Sequence, residues 1–169
     1  NNSIRNGSQP SLATMLSWYR SGYIWGIKHA VSAEQFNCDA SALLRAEPSM
    51  PLYTGSDLKS HELFITSHSD SSIPSFYGLT SIIANLYPCE VARMVSDMFS
   101  DDISVQQRGV AMYHRLVPVV NSCLSTSIPV GLKYALRLRS NIGGHPRHPL
   151  GALSDESATA IADAVRGFD

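Results

Sequence analysis

Apolar and polar positions along the chain alternate between two periods. The stretch "PSLATMLSWYRS" spaces its apolar residues three and four apart and predicts a helix, whereas "YIWGIK", Tyr23 to Lys28, is aromatic and β-branched and predicts a strand. In "SAEQFNCDASALLRA" a serine stands three residues before Gln35, a capping-box spacing that opens the next helix. "MPLYTG" reads as a second short strand stopped by glycine, followed by a helix over about Leu58 to Thr66 and a polar, serine-rich loop, "SHSDSSIPSF". "YGLTSIIAN" reads as a third strand, and "PCEVARMVSDMFS" as a helix with proline in its first turn. After Asp101 the strands stop. Three helices are predicted there, over about Ser104 to Ser122, Ile128 to Arg139 and Asp155 to Arg166.

Strand and helix thus alternate three times, which predicts βα units on a parallel sheet, with residues 1–101 as part of a barrel and 102–169 as a helical region. Three parallel strands leave both sheet edges open, so the pattern implies strands upstream of this sequence.

Composition narrows the function classes. The 169 residues are 44% hydrophobic and carry a formal net charge of −1, which excludes a field built for nucleic acid or acidic lipid. No run of about 18 apolar residues is present and the first ten residues have no signal-peptide core, so the expectation is a cytoplasmic protein with no membrane partner. Cys38, Cys89 and Cys123 are odd in number and far apart, which predicts reduced thiols serving as small core residues.

In a parallel α/β fold the chemistry gathers at the carboxyl ends of strands. Lys28 lies there, at the end of an apolar run where a charged amine loses hydration. It either points to water or serves as an amine nucleophile that condenses with a ketone. Gly55 in "TGSD" is either a turn glycine or a place where backbone must approach a ligand, and Asp57 is expected to cap the following helix. His145 and His148 sit in a Gly/Pro-rich loop without a ligand set for zinc, and no P-loop, G-x-S-x-G or G-x-G-x-x-G is present.

Taken in order, "GIK", "TGSD", "GLTSIIANLYP", "PVGLKYALRL" and "GGHPRHPLGALS" resemble the dihydrodipicolinate synthase and N-acetylneuraminate lyase family. These are Schiff-base enzymes on a (β/α)8 barrel. The family order at those points is Gly-(Ile/Val)-Lys, Ser-Gly-Asp-Asp, a Gly-(Val)-Ile-Ser segment with Asn and Pro, and a late Arg-x-Pro. The opening "NNSIRNG" is similar to the Asn-x-Pro-x-Arg-(Thr)-Gly that follows a catalytic tyrosine in the synthase branch, through Asn1, Arg5 and Gly7. The resemblance therefore implies the C-terminal half of a barrel, from the loop after strand five onward, with that tyrosine lying before Asn1.

What the resemblance implies for the site is specific. Lys28 matches the Schiff-base lysine, Arg5 the arginine that binds a substrate carboxylate, and Gly55 and Thr80 positions lining the keto-acid pocket. No metal or organic cofactor is required, the substrate is pyruvate or a related 2-keto acid, and the full-length form is a homo-oligomer. Departures also stand out: Ser3 replaces a usual proline, His29 follows the lysine where glutamate is common, and Ser56 replaces an aspartate. The expected activity is that of a class I lyase in the full-length protein, with the 169-residue chain alone inactive. The alternative is a degenerate half barrel that acts only as an interaction or structural chain.

Overall fold

The computed structural model describes residues 7–69 and 77–169. Arg5, Asn1 and most of the serine-rich stretch after Ser69 lie outside the described residues. The chain divides into two compact units, the first ending at Ser81 and the second spanning Ile82–Asp169.

In the first unit, α1 (Leu12–Arg20) is opened by Ser11, whose hydroxyl accepts from the Thr14 amide, and is followed by a turn in which Gly22 takes φ +72°. Strand β1 is Ile27–His29, α2 is Ala33–Ala46, β2 is Leu52–Thr54, α3 is Ser60–Ser69 and β3 is Gly78–Leu79. The strands form one parallel sheet in the order β1-β2-β3, with Lys28 beside Tyr53 and Tyr53 beside Gly78. Because the strand period is two, Ile27 and His29 turn to the side covered by helices while Lys28 turns to the exposed side. The covered side is packed by Phe36, Ala40 and Leu43 of α2, by Leu52 of β2, and by Leu63 and Phe64 of α3, all buried.

Three expectations are corrected here. The first strand is shorter than "YIWGIK", since only Ile27–His29 pair, and Tyr23 and Trp25 are exposed loop residues. The third strand stops at Leu79: the β-branched run beyond it closes into a 3-10 turn over Ile83–Asn85, with the Leu86 amide donating to Ile83 O. Local turn formation there overrides β-propensity. The thiols of Cys38 and Cys89 are exposed, on the outer sides of their helices, and only Cys123 is a core residue; all three are free. Burial raises the pKa of the Cys123 thiol to about 11.

The second unit holds α4 (Pro88–Met98), α5 (Ile103–Leu124), α6 (Ile128–Ser140) and α7 (Asp155–Phe168). Asp102 caps α5 through the Ser104 amide, Ser154 caps α7 through Ser157, and Asn141 ends α6 in the left-handed conformation. The core is built from Val91, Met94, Leu116, Val119, Ile161 and Val165. Tyr87 is fully buried against Phe168, ring centroids 4.3 Å apart, with the Arg139 guanidinium 4.5 Å from its ring centre. Burial, together with the Asp169 carboxylate, pushes its pKa well above that of a free phenol. Arg108 reaches both Asp97 oxygens, at 2.8 and 2.9 Å, joining α5 to the end of α4.

The same two helices approach closely at Gly109. A Cβ there would lie 2.8 Å from Met98 N and 2.9 Å from Met94 O, both backbone atoms. Gly109→Ala is expected to destabilise the chain by ~1–3 kcal/mol through overpacking. Gly144→Ala, where a Cβ meets nothing within 4 Å, serves as the control. Urea unfolding of the two variants checks this, and equal midpoints would contradict the packing described.

Candidate functional site

The sheet register decides which side chains share a surface. Lys28 and Tyr53 are register partners, and the next pair along, Tyr53 and Gly78, continues the row across the sheet. One pleat further on, the Gly55 amide donates to His29 O at 3.0 Å and the Thr80 amide donates to Thr54 O at 2.9 Å, so Gly55 and Thr80 extend the same face beyond the strand ends. Lys28, Gly55 and Thr80 are thereby brought together on one side of the sheet, Lys28 and Thr80 exposed and Gly55 half-buried. Arg5 lies outside the described residues.

Gly55 is needed for close contact and not for a left-handed turn, since its φ lies outside the positive region. A Cβ at Gly55 would stand 2.6 Å from Lys28 Cε, 3.3 Å from Lys28 Cγ and 2.8 Å from Ala30 Cβ. The lysine stem therefore crosses onto the neighbouring strand and lies where a side chain on Gly55 would be. One strand over, Tyr53 lies beside Gly78 at ordinary van der Waals distance, its ring carbons 3.7 and 3.8 Å from the position of a Cβ there. Lys28 and Tyr53 thus each lie beside a glycine of the next strand. Tyr53 was not singled out from the sequence, although its alternation with Leu52 and Thr54 is a period-2 signal that puts it on the face of Lys28.

The loop after β2 is held by polar contacts. Ser56 occupies the cap position of the 3-10 turn Asp57–Lys59, and its amide donates to Thr54 Oγ1 at 3.3 Å. Asp57 is therefore not the cap that the sequence predicts. It is buried, and its carboxylate accepts a short hydrogen bond from the Ser81 hydroxyl, while its carbonyl accepts from Ser60 Oγ at 2.8 Å. Asp57 and Ser81 thus tie the loop that carries Gly55 to the loop that carries Thr80.

Behind Lys28 lies a polar pair that sequence reasoning passed over. His29 is 2% exposed, and its Nε2 donates to Asp39 Oδ2 across 2.7 Å; Gln35 Nε2 donates to the other carboxylate oxygen at 2.8 Å. A carboxylate only accepts, so the imidazole carries its proton on Nε2. The ring packs on Phe36, centroids 5.9 Å apart. The signal was present: Asp39 falls in the buried stripe Ala33, Phe36, Ala40 and Leu43 of α2, where an aspartate requires a buried partner. Among the described residues, no group of three or more His, Cys, Asp or Glu side chains is arranged to hold a metal ion, and no helix is long and apolar enough to cross a membrane.

The fold that carries this sheet recurs among known proteins. The chain is similar to the dihydrodipicolinate synthases. No family model matches it. Among curated relatives, the 4-hydroxy-tetrahydrodipicolinate synthase of Haloarcula marismortui is 32% identical over 88 residues, which are 52% of this chain and 28% of that protein. The synthase of Methanococcoides burtonii is 26% identical over 89 residues, 53% of this chain and 30% of its own length. Among solved structures, dihydrodipicolinate synthase from Thermotoga maritima superimposes with a TM-score of 0.81 at 19% identity, covering 98% of this chain and 53% of that one. A chloride-inhibited dihydrodipicolinate synthase from Acinetobacter baumannii, complexed with pyruvate, gives 0.80 at 22%, covering 99% and 53%. The chain thus spans about half the length of the synthases it superimposes on, and its fold is that of a partial (β/α)8 barrel with a helical region.

The contact of Lys28 with Gly55 gives a direct expectation. Gly55→Ala sets a methyl against Ala30 Cβ, which cannot swing away, and is expected to cost ~1–3 kcal/mol of stability by overpacking. It also moves the lysine stem off its groove. Urea unfolding measures the first effect, and the rate of reductive methylation at Lys28, read by peptide mass, measures the second; a variant unchanged in both would refute the contact.

Proposed function

We propose that this chain carries the imine-forming lysine of a class I lyase that acts on pyruvate or a related 2-keto acid. One observation carries the reading. Lys28 is the central residue of the short strand β1 in a partial (β/α)8 barrel and shares its exposed sheet face with Gly55 and Thr80. The similarity to synthases, one of them solved with pyruvate, supports the substrate class.

In this reading the neutral Lys28 amine attacks the keto carbon of the substrate, and the carbinolamine loses water to give an iminium. The iminium draws electrons from the adjacent C–C or C–H bond. Loss of a proton from the methyl carbon gives an enamine, which adds to the carbonyl carbon of a second substrate; in the opposite direction the same steps cleave that bond. Hydrolysis of the final imine restores the amine. Gly55 leaves room for the lysine stem and for a planar keto acid beside it. Thr80 offers a hydroxyl and backbone groups at the end of β3, and Arg5 is assigned a substrate carboxylate, a task suited to a bidentate guanidinium. The proton transfers call for a positioned acid and base, the work that the family resemblance gives to a tyrosine before Asn1. The 169-residue chain by itself is then expected to be inactive, because a half pocket does not hold the reacting groups in register.

The polypeptide that carries this chain, incubated with pyruvate and borohydride, is expected to gain the mass of a reduced pyruvate adduct on the peptide containing "GIKHAV". Lys28→Ala abolishes the adduct, while Arg5→Ala leaves it and slows turnover with the second substrate by about tenfold or more, the worth of a charged hydrogen bond. An adduct on Lys59 or Lys133, or none on any lysine, would sink the proposal and favour a non-catalytic interaction role.

A further inference from the structure

His29 and Asp39 lie on the helix-covered side of the sheet, opposite the face of Lys28, so they touch no substrate. They are nonetheless joined to the site through backbone. The Lys28 side chain leaves β1 between Ile27 and His29, both buried. The His29 carbonyl accepts the Gly55 amide at 3.0 Å, and Gly55 is the residue on which the Lys28 stem rests. One residue thus holds three things: the strand end that carries Lys28, the glycine that guides its stem, and, through the 2.7 Å bond to Asp39, helix α2. Asp39 is fixed in turn by Gln35, one turn earlier on that helix.

Apolar packing alone would not do this. A leucine at position 29 would fill the space but could slide and rotate in it, whereas a hydrogen bond of 2.7 Å between two buried side chains fixes both direction and distance. The cost of burying two polar groups is offset only when their partners are in place, which makes the strand end intolerant of displacement.

We propose that the His29–Asp39 pair is a positioning device that sets the Lys28 amine for attack on the keto acid, so that its integrity governs the rate of imine formation and leaves keto-acid affinity alone. The inference rests on the reading of Lys28 as the imine-forming residue.

The test uses the whole polypeptide that carries this chain, with pyruvate as the probe. The maximal rate of borohydride-trapped adduct formation and the half-saturating pyruvate concentration are measured per folded molecule, the folded fraction coming from unfolding curves. Asp39→Ala is expected to slow maximal trapping by about tenfold or more, the scale set by misplacing a reacting group by a fraction of an ångström, with half-saturation within about twofold of the parent. Asp39→Asn keeps both links once the Gln35 amide turns over, and returns the rate to within about threefold. Should Asp39→Ala fail to fold, Gln35→Ala, which removes the second partner of Asp39 from the exposed side, is expected to show the same signature at about threefold.

A trapping rate unchanged in Asp39→Ala, or in Gln35→Ala where that variant stands in, overturns the proposal. So does an Asp39→Asn variant as slow as Asp39→Ala, since charge and not position would then be responsible. A parent protein that forms no adduct at Lys28 overturns the lyase reading and this proposal with it. A parent that forms the adduct while the variants match it overturns the positioning role alone.

Discussion

A parallel strand covered by a helix on one side must present every second residue on the other. In β1 this constraint acts on three residues. Ile27 and His29 are drawn under α2, one by apolar burial and the other by Asp39, and Lys28 between them is committed to the open face. Slipping the register by one residue would bury the amine and expose the apolar and hydrogen-bonded pair, so the burial of the neighbours fixes the lysine. The pairing of β1 with β2, and of β2 with β3, then determines what stands beside it.

Those neighbours are unusually small. A parallel sheet ordinarily lines its faces with Val, Ile and Leu, yet Gly55 and Gly78 appear on the side of Lys28 and Tyr53. The absent side chain of Gly55 leaves a shallow groove in which the lysine stem lies, and the tyrosine ring stands beside Gly78 at van der Waals distance. Glycine weakens a strand, and here the loss is countered outside the sheet face by the hydrogen bonds of Asp57 with Ser81 and Ser60. The polar contacts that hold these loops are therefore set behind and around the face, leaving the face itself to Lys28 and the strand ends.

The order of elements was legible because helices α1, α2, α4 and α5 carry strong apolar periodicity with Ser or Asp caps or an opening proline. The short strands were legible in place but not in extent. "YIWGIK" and "YGLTSIIAN" contain β-branched and aromatic residues whose roles differ: Tyr23 and Trp25 are exposed loop residues, and Ile83 is buried in a 3-10 turn. Propensity cannot separate these, since it reports fit to a half-buried surface and not pairing. Lys28, Gly55 and Thr80 were picked out as candidates by their order along the chain, and the sheet puts the three on one face. His29 stood out only as a departure from the family order and Asp39 was passed over; their relation exists only after ten residues of chain have turned from strand into helix. Tyr53 was missed for a similar reason, its significance resting on strand register.

The account stands on Lys28, Gly55 and Thr80 forming one wall of a keto-acid pocket. The most direct measurement is a crystal structure of the polypeptide that carries this chain after reduction of its pyruvate adduct. The account predicts a covalent bond between Lys28 Nζ and the former keto carbon, with the lysine stem over Gly55 and the adduct's carboxylate near the strand ends at Thr80. An adduct attached to another lysine, or a Lys28 chain directed away from Gly55 with Thr80 remote from the ligand, would contradict it.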